Sequence, residues 1–260
     1  MMEAIYFIIV LAATTAGAFA GIGGGVIIKP ALDALGHFDM ETIGILSSAS
    51  VLSMAVVTTV KRVSGGLKIN RKVIILSLGA IAGGVAGKEL FYLLIGVAGD
   101  PVVKIIQSAA IIALMIIILF KNSMPRVYLD RIPVVFIVGA VLGLISSFLG
   151  IGGGPVNVVV LYIFLNMNMK DSAVSSIFII LLSQASKLAA IAIDIGFSQY
   201  NLAMLWYMIP AGIAGGIAGM LIHSKISEKK LNFFFDATVV IVILLCIYNM
   251  YDAIAFLASS

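Results

Sequence analysis

Apolar runs long enough to cross a lipid bilayer recur from one end of this chain to the other. Crossing the hydrocarbon core takes about 17–25 apolar residues of helix. Runs of that order lie at 4–19, 43–60, 73–97, 102–120, 172–193, 202–222 and 231–248. Inside lipid every backbone N–H and C=O must find a partner within the protein, which leaves only helices and closed barrels. These runs are too long for barrel strands, so the expected fold class is an all-α polytopic integral membrane protein. Composition excludes the soluble alternative. The chain is 62% hydrophobic and 11% charged, with a mean hydropathy of +1.20, too little charge to cover a soluble domain of this size. No polar stretch is long enough for a separate soluble domain.

The net charge of +4 is not a nucleic-acid footprint. Basic residues crowd the short gaps between apolar runs: Lys61, Arg62, Lys68, Arg71 and Lys72 in one, Lys121, Arg126 and Arg131 in another. Cytoplasmic loops have this character under the positive-inside rule. The expected partners are the lipid bilayer and a small anionic substrate, with no nucleic acid, and the expected location is the cell's inner (plasma) membrane. The single cysteine, Cys246, lies in an apolar run and is expected only to pack. The N-terminal apolar stretch imitates a signal peptide, but its first charge is Glu3 rather than a basic residue, so it is expected to stay.

An internal repeat organises the chain. Gly21-Ile22-Gly23-Gly24-Gly25 recurs as Gly150-Ile151-Gly152-Gly153-Gly154. A second match follows each copy, with Gly83, Gly84 and Gly87 answering to Gly215, Gly216 and Gly219. Two matches in the same order predict two repeats, 1–125 and 126–260, which together form one transmembrane domain. The joint at 121–131 carries Pro125 and several charges. Gly83/Gly87 and Gly215/Gly219 have the four-residue spacing that lets helix backbones approach closely in lipid.

The glycine pentapeptides break helices. Each glycine costs roughly 1 kcal/mol in a helix interior relative to alanine, and Pro155 suits the first turn of a new helix. Segments 4–36 and 132–166 therefore read as helix, break, helix. Broken backbone at membrane depth must be buried in protein or line a cavity. A helix starting at such a break directs unpaired N–H groups and about half a positive charge into it, which suits an anion. The substrate-binding candidates are accordingly Gly21, Gly23, Gly24, Gly25, Gly150, Gly152, Gly153 and Gly154.

Loop charge discriminates between two arrangements. If each broken segment is a re-entrant hairpin, each repeat has about three further spans and the repeats are inverted. Leaving out Lys29, Lys88 and Lys187, which lie within apolar segments, twelve of the other thirteen lysines and arginines then fall inside, and only Lys104 falls outside. The alternative, eight spans in parallel repeats, leaves Lys225, Lys229 and Lys230 outside. The positive-inside rule favours the inverted arrangement.

Polar residues within apolar runs complete the candidate list. Ser47 and Ser48 match Ser175 and Ser176 in position. Lys29 follows the first break, Asn157 follows the second, and Gln184 and Lys187 sit within a span, with Asp194 at its end as a possible partner for Lys187. Ionisable groups inside a span face a polar path or a partner. Lys29 and Lys187 are therefore substrate-binding candidates with the serines and Asn157, while Asp194 and Asp236 are candidates for ion coupling. Lys88 and Glu89 read as a neighbouring pair. No enzyme is expected, since no phosphate-binding lysine loop or nucleophile elbow is present. His37 and His223 are far apart, so no metal site and no cofactor are expected.

The GIGGG segments at 21–25 and 150–154, the first followed by Lys29-Pro30-Ala31-Leu32, resemble the TauE/SafE sulfite exporter family of membrane permeases, over essentially the whole chain. The resemblance implies a secondary transporter that moves sulfite, a sulfonate or a related small sulfur-containing anion, coupled to an ion gradient. The other readings are a passive anion channel and a non-transporting membrane scaffold.

Overall fold

A computed structural model describes residues 2–66 and 69–259; Lys68, counted among the loop charges, lies outside them. The described residues form α1 Met2–Ala20, α2 Gly25–Leu35, α3 Met40–Ser64, α4 Arg71–Leu119, α5 Ile132–Leu149, α6 Gly154–Phe164, α7 Met169–Asp194, α8 Leu205–Lys225 and α9 Glu228–Ser259. Seven helices have the length and apolar character to cross a membrane, all except α2 and α6. The chain is thus a polytopic membrane protein. Large apolar side chains such as Ile8, Leu93, Ile137, Trp206 and Leu244 point outward, more than half exposed, as a lipid-facing surface requires.

α4 is two antiparallel arms. A straight helix of its 49 residues would be about 73 Å long, more than twice a membrane's hydrocarbon core. Gly99, at φ 75° and ahead of Pro101, breaks it. Gly87 before the break lies against Leu144 of α5, and Gln107 after it donates to the Phe148 carbonyl of the same helix, so the chain doubles back. The arms therefore match the two separate runs expected at 73–97 and 102–120.

Helix directions follow from paired contacts. Gly212 and Gly216 of α8 lie successively against Ser50 and Met54 of α3, and Gly215 and Gly219 against Leu11 and Thr15 of α1, so these three helices run the same way. Gly79, Gly83 and Gly87 of α4 meet Phe136, Ala140 and Leu144 of α5 in order. The first arm of α4, α5 and α7 run together, with Lys88 beside Asp194. Ser48 of α3 meets Lys187 of α7, while Val51 and Gln184 both flank Gly152; α3 and α7 are antiparallel. α2 turns back along α1, because Tyr6 near the start of α1 bonds His37 just past the end of α2, at 3.2 Å.

The basic segments gather at one end of the bundle. There Lys72 meets the linker, Arg126 bonds Asn166, and the Met169 amide bonds Glu228. Lys104 lies at the opposite end with Asp252. Polar caps start the long helices: Asp39 accepts from the Thr42 amide and Asn168 from the Asp171 amide, each at 2.8 Å. These caps are 129 positions apart, the spacing of Gly21 and Gly150.

Candidate functional site

The two glycine breaks meet inside the bundle. All eight glycines named above are buried. The breaks also share one backbone course: φ is 76°, 78° and 69° at Gly21, Gly23 and Gly24, and 68°, 74° and 69° at Gly150, Gly152 and Gly153. Left-handed values like these are open to glycine at no steric cost. A methyl group on Gly25 would strike the Ile151 carbonyl, and one on Gly154 the Ile22 carbonyl. The start of each short helix is thus closed off on that side by the other break. Ser176 ties the two together, its hydroxyl donating to the Gly21 carbonyl at 2.7 Å and lying 3.3 Å from the Gly154 carbonyl.

The breaks differ in what faces them. Gly21 and Gly23 look onto Ala173 and Ile180, and Gly24 onto the α1 backbone. The second break has polar neighbours. The aliphatic stem of Lys29 lies across Gly150, the Gln184 amide lies beside Gly152, and the Asn157 side chain and the Ser146 hydroxyl lie beside Gly153. Lys187 joins from α7, with its ammonium beside Gly44 and donating to the Ser48 hydroxyl at 3.1 Å. Five of the sequence candidates, Gly150, Gly152, Gly153, Lys29 and Asn157, are thereby brought together with Gln184. The Lys187–Ser48 pair is held next to them.

Several of these groups lack the partners that burial demands. Both polar atoms of Asn157 and the Ser47 hydroxyl are buried without a hydrogen bond among the described residues. Each such group costs about 1–3 kcal/mol. Lys29 pairs with Asp33 at 3.0 Å, both side chains nearly inaccessible. Lys187 is 4% exposed, and none of the ion pairs among the described residues includes it.

Other candidates lie elsewhere. Asp194 does not pair with Lys187. It sits half exposed at the end of α7, paired with Lys88, which also holds Glu89. Asp236 lies near the basic end, two turns into α9, where it pairs with Lys121; the apolar run that contains it begins closer to the bundle end than its length suggests. Ser175 is only partly buried, about 100° around the helix from Ser176. Sequence reasoning passed over Asp33, although its position four residues after Lys29 is the spacing of a helical ion pair. At the end opposite the basic loops, the Tyr200 hydroxyl donates to Glu41 at 2.8 Å and touches Tyr92. Burial raises the Tyr200 phenol above its ordinary pKa.

A family model described as Sulfite exporter TauE/SafE matches residues 6–246. No curated protein and no solved structure matches the chain.

Proposed function

The chain belongs to the sulfite exporter TauE/SafE family, and from that membership we propose that it is a secondary transporter carrying sulfite or a related small sulfonate across the cytoplasmic membrane. Lys187 carries the reading. A buried ammonium without a carboxylate costs several kcal/mol, and Lys187 has only a neutral hydroxyl beside it. An anion from solution supplies the missing charge. The same anion satisfies the unpartnered Asn157 amide, and Lys29, Gln184, Gly150 and Gly152 complete its surroundings. Gly21, Gly23, Gly24, Gly25, Gly154, Ser47, Ser175 and Ser176 then hold the two breaks or stand behind them.

The same reading takes α1–α2 and α5–α6 as re-entrant hairpins in two inverted repeats, with the basic loops cytoplasmic. The antiparallel course of α3 and α7 supports it, as does the gathering of the basic loops at one end. Inverted repeats with the substrate at their interface are a common carrier plan.

Thermal melting of the purified protein tests the site. Sulfite and methanesulfonate are expected to raise the melting temperature of the wild type, and Lys187→Met to abolish that rise without lowering the ligand-free value. A scaffold protein would show no anion-dependent rise. An unchanged rise in Lys187→Met would remove this lysine from the site.

A further inference from the structure

A second polar feature lies between the breaks and the end of the bundle opposite the basic loops. A cavity of about 310 Å³ opens there, lined by Asp33, Phe38, Met40, Asp100, Lys104 and Asp252 among others. Asp33 is its innermost acid. Its side chain is 8% exposed, one oxygen accepts from Lys29, and the other, Oδ1, is buried with no partner among the described residues. Lys29 in turn lies across Gly150 of the second break. The series cavity, Asp33, Lys29, Gly150 therefore joins solvent to the candidate anion site through one ion pair.

Resting on the transport reading above, we propose that Asp33 is the proton-accepting group that couples anion movement to a proton gradient. The vacant Oδ1 is where the proton goes. A proton taken from water in the cavity converts the carboxylate to a neutral acid. Lys29 then keeps its charge but loses its counter-charge, and an anion at the Gly150 face restores it. When the anion leaves, the Lys29–Asp33 pair re-forms and the proton is released. One proton moves with each singly charged anion, so the buried region has the same net charge loaded as it has empty.

The surrounding charges fit this role. On α2 itself only Lys29 faces Asp33. From α4, Lys104 donates to the Asp33 backbone carbonyl at 3.1 Å and to Asp252 of α9 at 2.9 Å, while Asp100 accepts from the Met40 amide. α9 also sends Asn249 to the Pro30 carbonyl, and its buried Cys246 thiol lies within electrostatic range of both Asp33 and Lys29. From α1, Tyr6 engages His37 rather than Asp33, and Glu41 of α3 is held by Tyr200. α6 carries no charged residue. Lys187 of α7 lies within electrostatic range of Lys29. The two acids first considered for coupling, Asp194 and Asp236, pair instead with Lys88 and Lys121 away from this path.

The test uses purified full-length protein in liposomes and sulfur-35 sulfite, with protein-free liposomes subtracted. External pH is held constant so that sulfite speciation does not change. With the interior about one pH unit more alkaline, wild-type protein is expected to accumulate the singly charged form of sulfite up to roughly tenfold, and total label by more, because part of it loses its proton inside. Asp33→Asn is expected to lose that accumulation yet retain exchange of labelled for unlabelled sulfite at equal pH. Asp33→Glu keeps an ionisable group and is expected to accumulate sulfite with a displaced pH midpoint. The proposal is overturned if Asp33→Asn still accumulates sulfite, or loses exchange as well. It is equally overturned if a sodium gradient replaces the pH gradient, or if Asp33→Glu leaves the midpoint unmoved. Should Asp33→Asn not fold, as judged by gel filtration, the midpoint of Asp33→Glu decides. Wild-type protein that moves no sulfite in either assay would sink the transport reading itself, a result distinct from transport without proton coupling.

Discussion

At the residue scale, the glycines fall into classes that their sequence context conceals. Gly153 and Gly36 both have left-handed φ, 69° and 64°, and alanine there costs roughly 1–2 kcal/mol. Nothing lies within 4 Å of a side chain added at Gly36, whereas one at Gly153 overlaps Ser146. Gly154 has an ordinary φ, but its side chain would drive the Ile22 carbonyl away. In thermal melts Gly36→Ala is expected to lose only the φ cost. Gly153→Ala and Gly154→Ala are expected to lose roughly 1–3 kcal/mol through overpacking, in addition to the φ cost at Gly153. Equal losses at all three would mean that the breaks are looser than the packing implies. The glycine motif was legible as a break. Which glycines face polar side chains was not, because Lys29 and Gln184 reach the second break from other helices.

At the scale of elements, the small-residue motifs join the two halves of the chain. Gly83 and Gly87 of α4 let Ala140 and Leu144 of α5 approach at backbone distance, while Gly139 and Gly143 of α5 receive Leu76 and Ala80. Gly215 and Gly219 of α8 do the same for α1. Each motif thus packs on the helix that leads into the other half's break. Such contacts matter in lipid, where helices associate by close packing rather than by the hydrophobic effect. Gly83→Leu and Gly215→Leu are therefore expected to destabilise by at least 1–3 kcal/mol. Gly96→Leu, on the same helix as Gly83 but with open space around it, is expected to stay within about 0.5 kcal/mol. Circular dichroism melts in detergent compare the three. Close helix packing could be read from the four-residue spacing; the partner helix could not.

At the scale of the molecule, the testable quantity is sidedness. Ser64, Ser123 and Ser227 are exposed near the basic end, and Ser198 is exposed near the other. Cys246 is free and buried, so Cys246→Ala gives a clean background for single cysteines at these four positions. In intact cells a membrane-impermeant maleimide is expected to label the cysteine replacing Ser198, and to reach the other three only after permeabilisation. Labelling at position 227 from outside would contradict the inverted arrangement with cytoplasmic basic loops.

The sequence by itself determined the solvent, the secondary structure and the family. Apolar runs of bilayer length admit only helices, glycine clusters must interrupt them, and the duplicated GIGGG segments carry the resemblance that the family match at residues 6–246 bears out. All of these depend on local composition and spacing, which a chain displays along its length. Only the tertiary structure decided which charges are paired. Asp194 pairs with a lysine 106 positions away and Asp236 with one 115 positions away, while Lys187 is left with the Ser48 hydroxyl. Whether a buried charge has a partner depends on distance in space, and helices that pack across the two halves bring together residues that no local pattern relates.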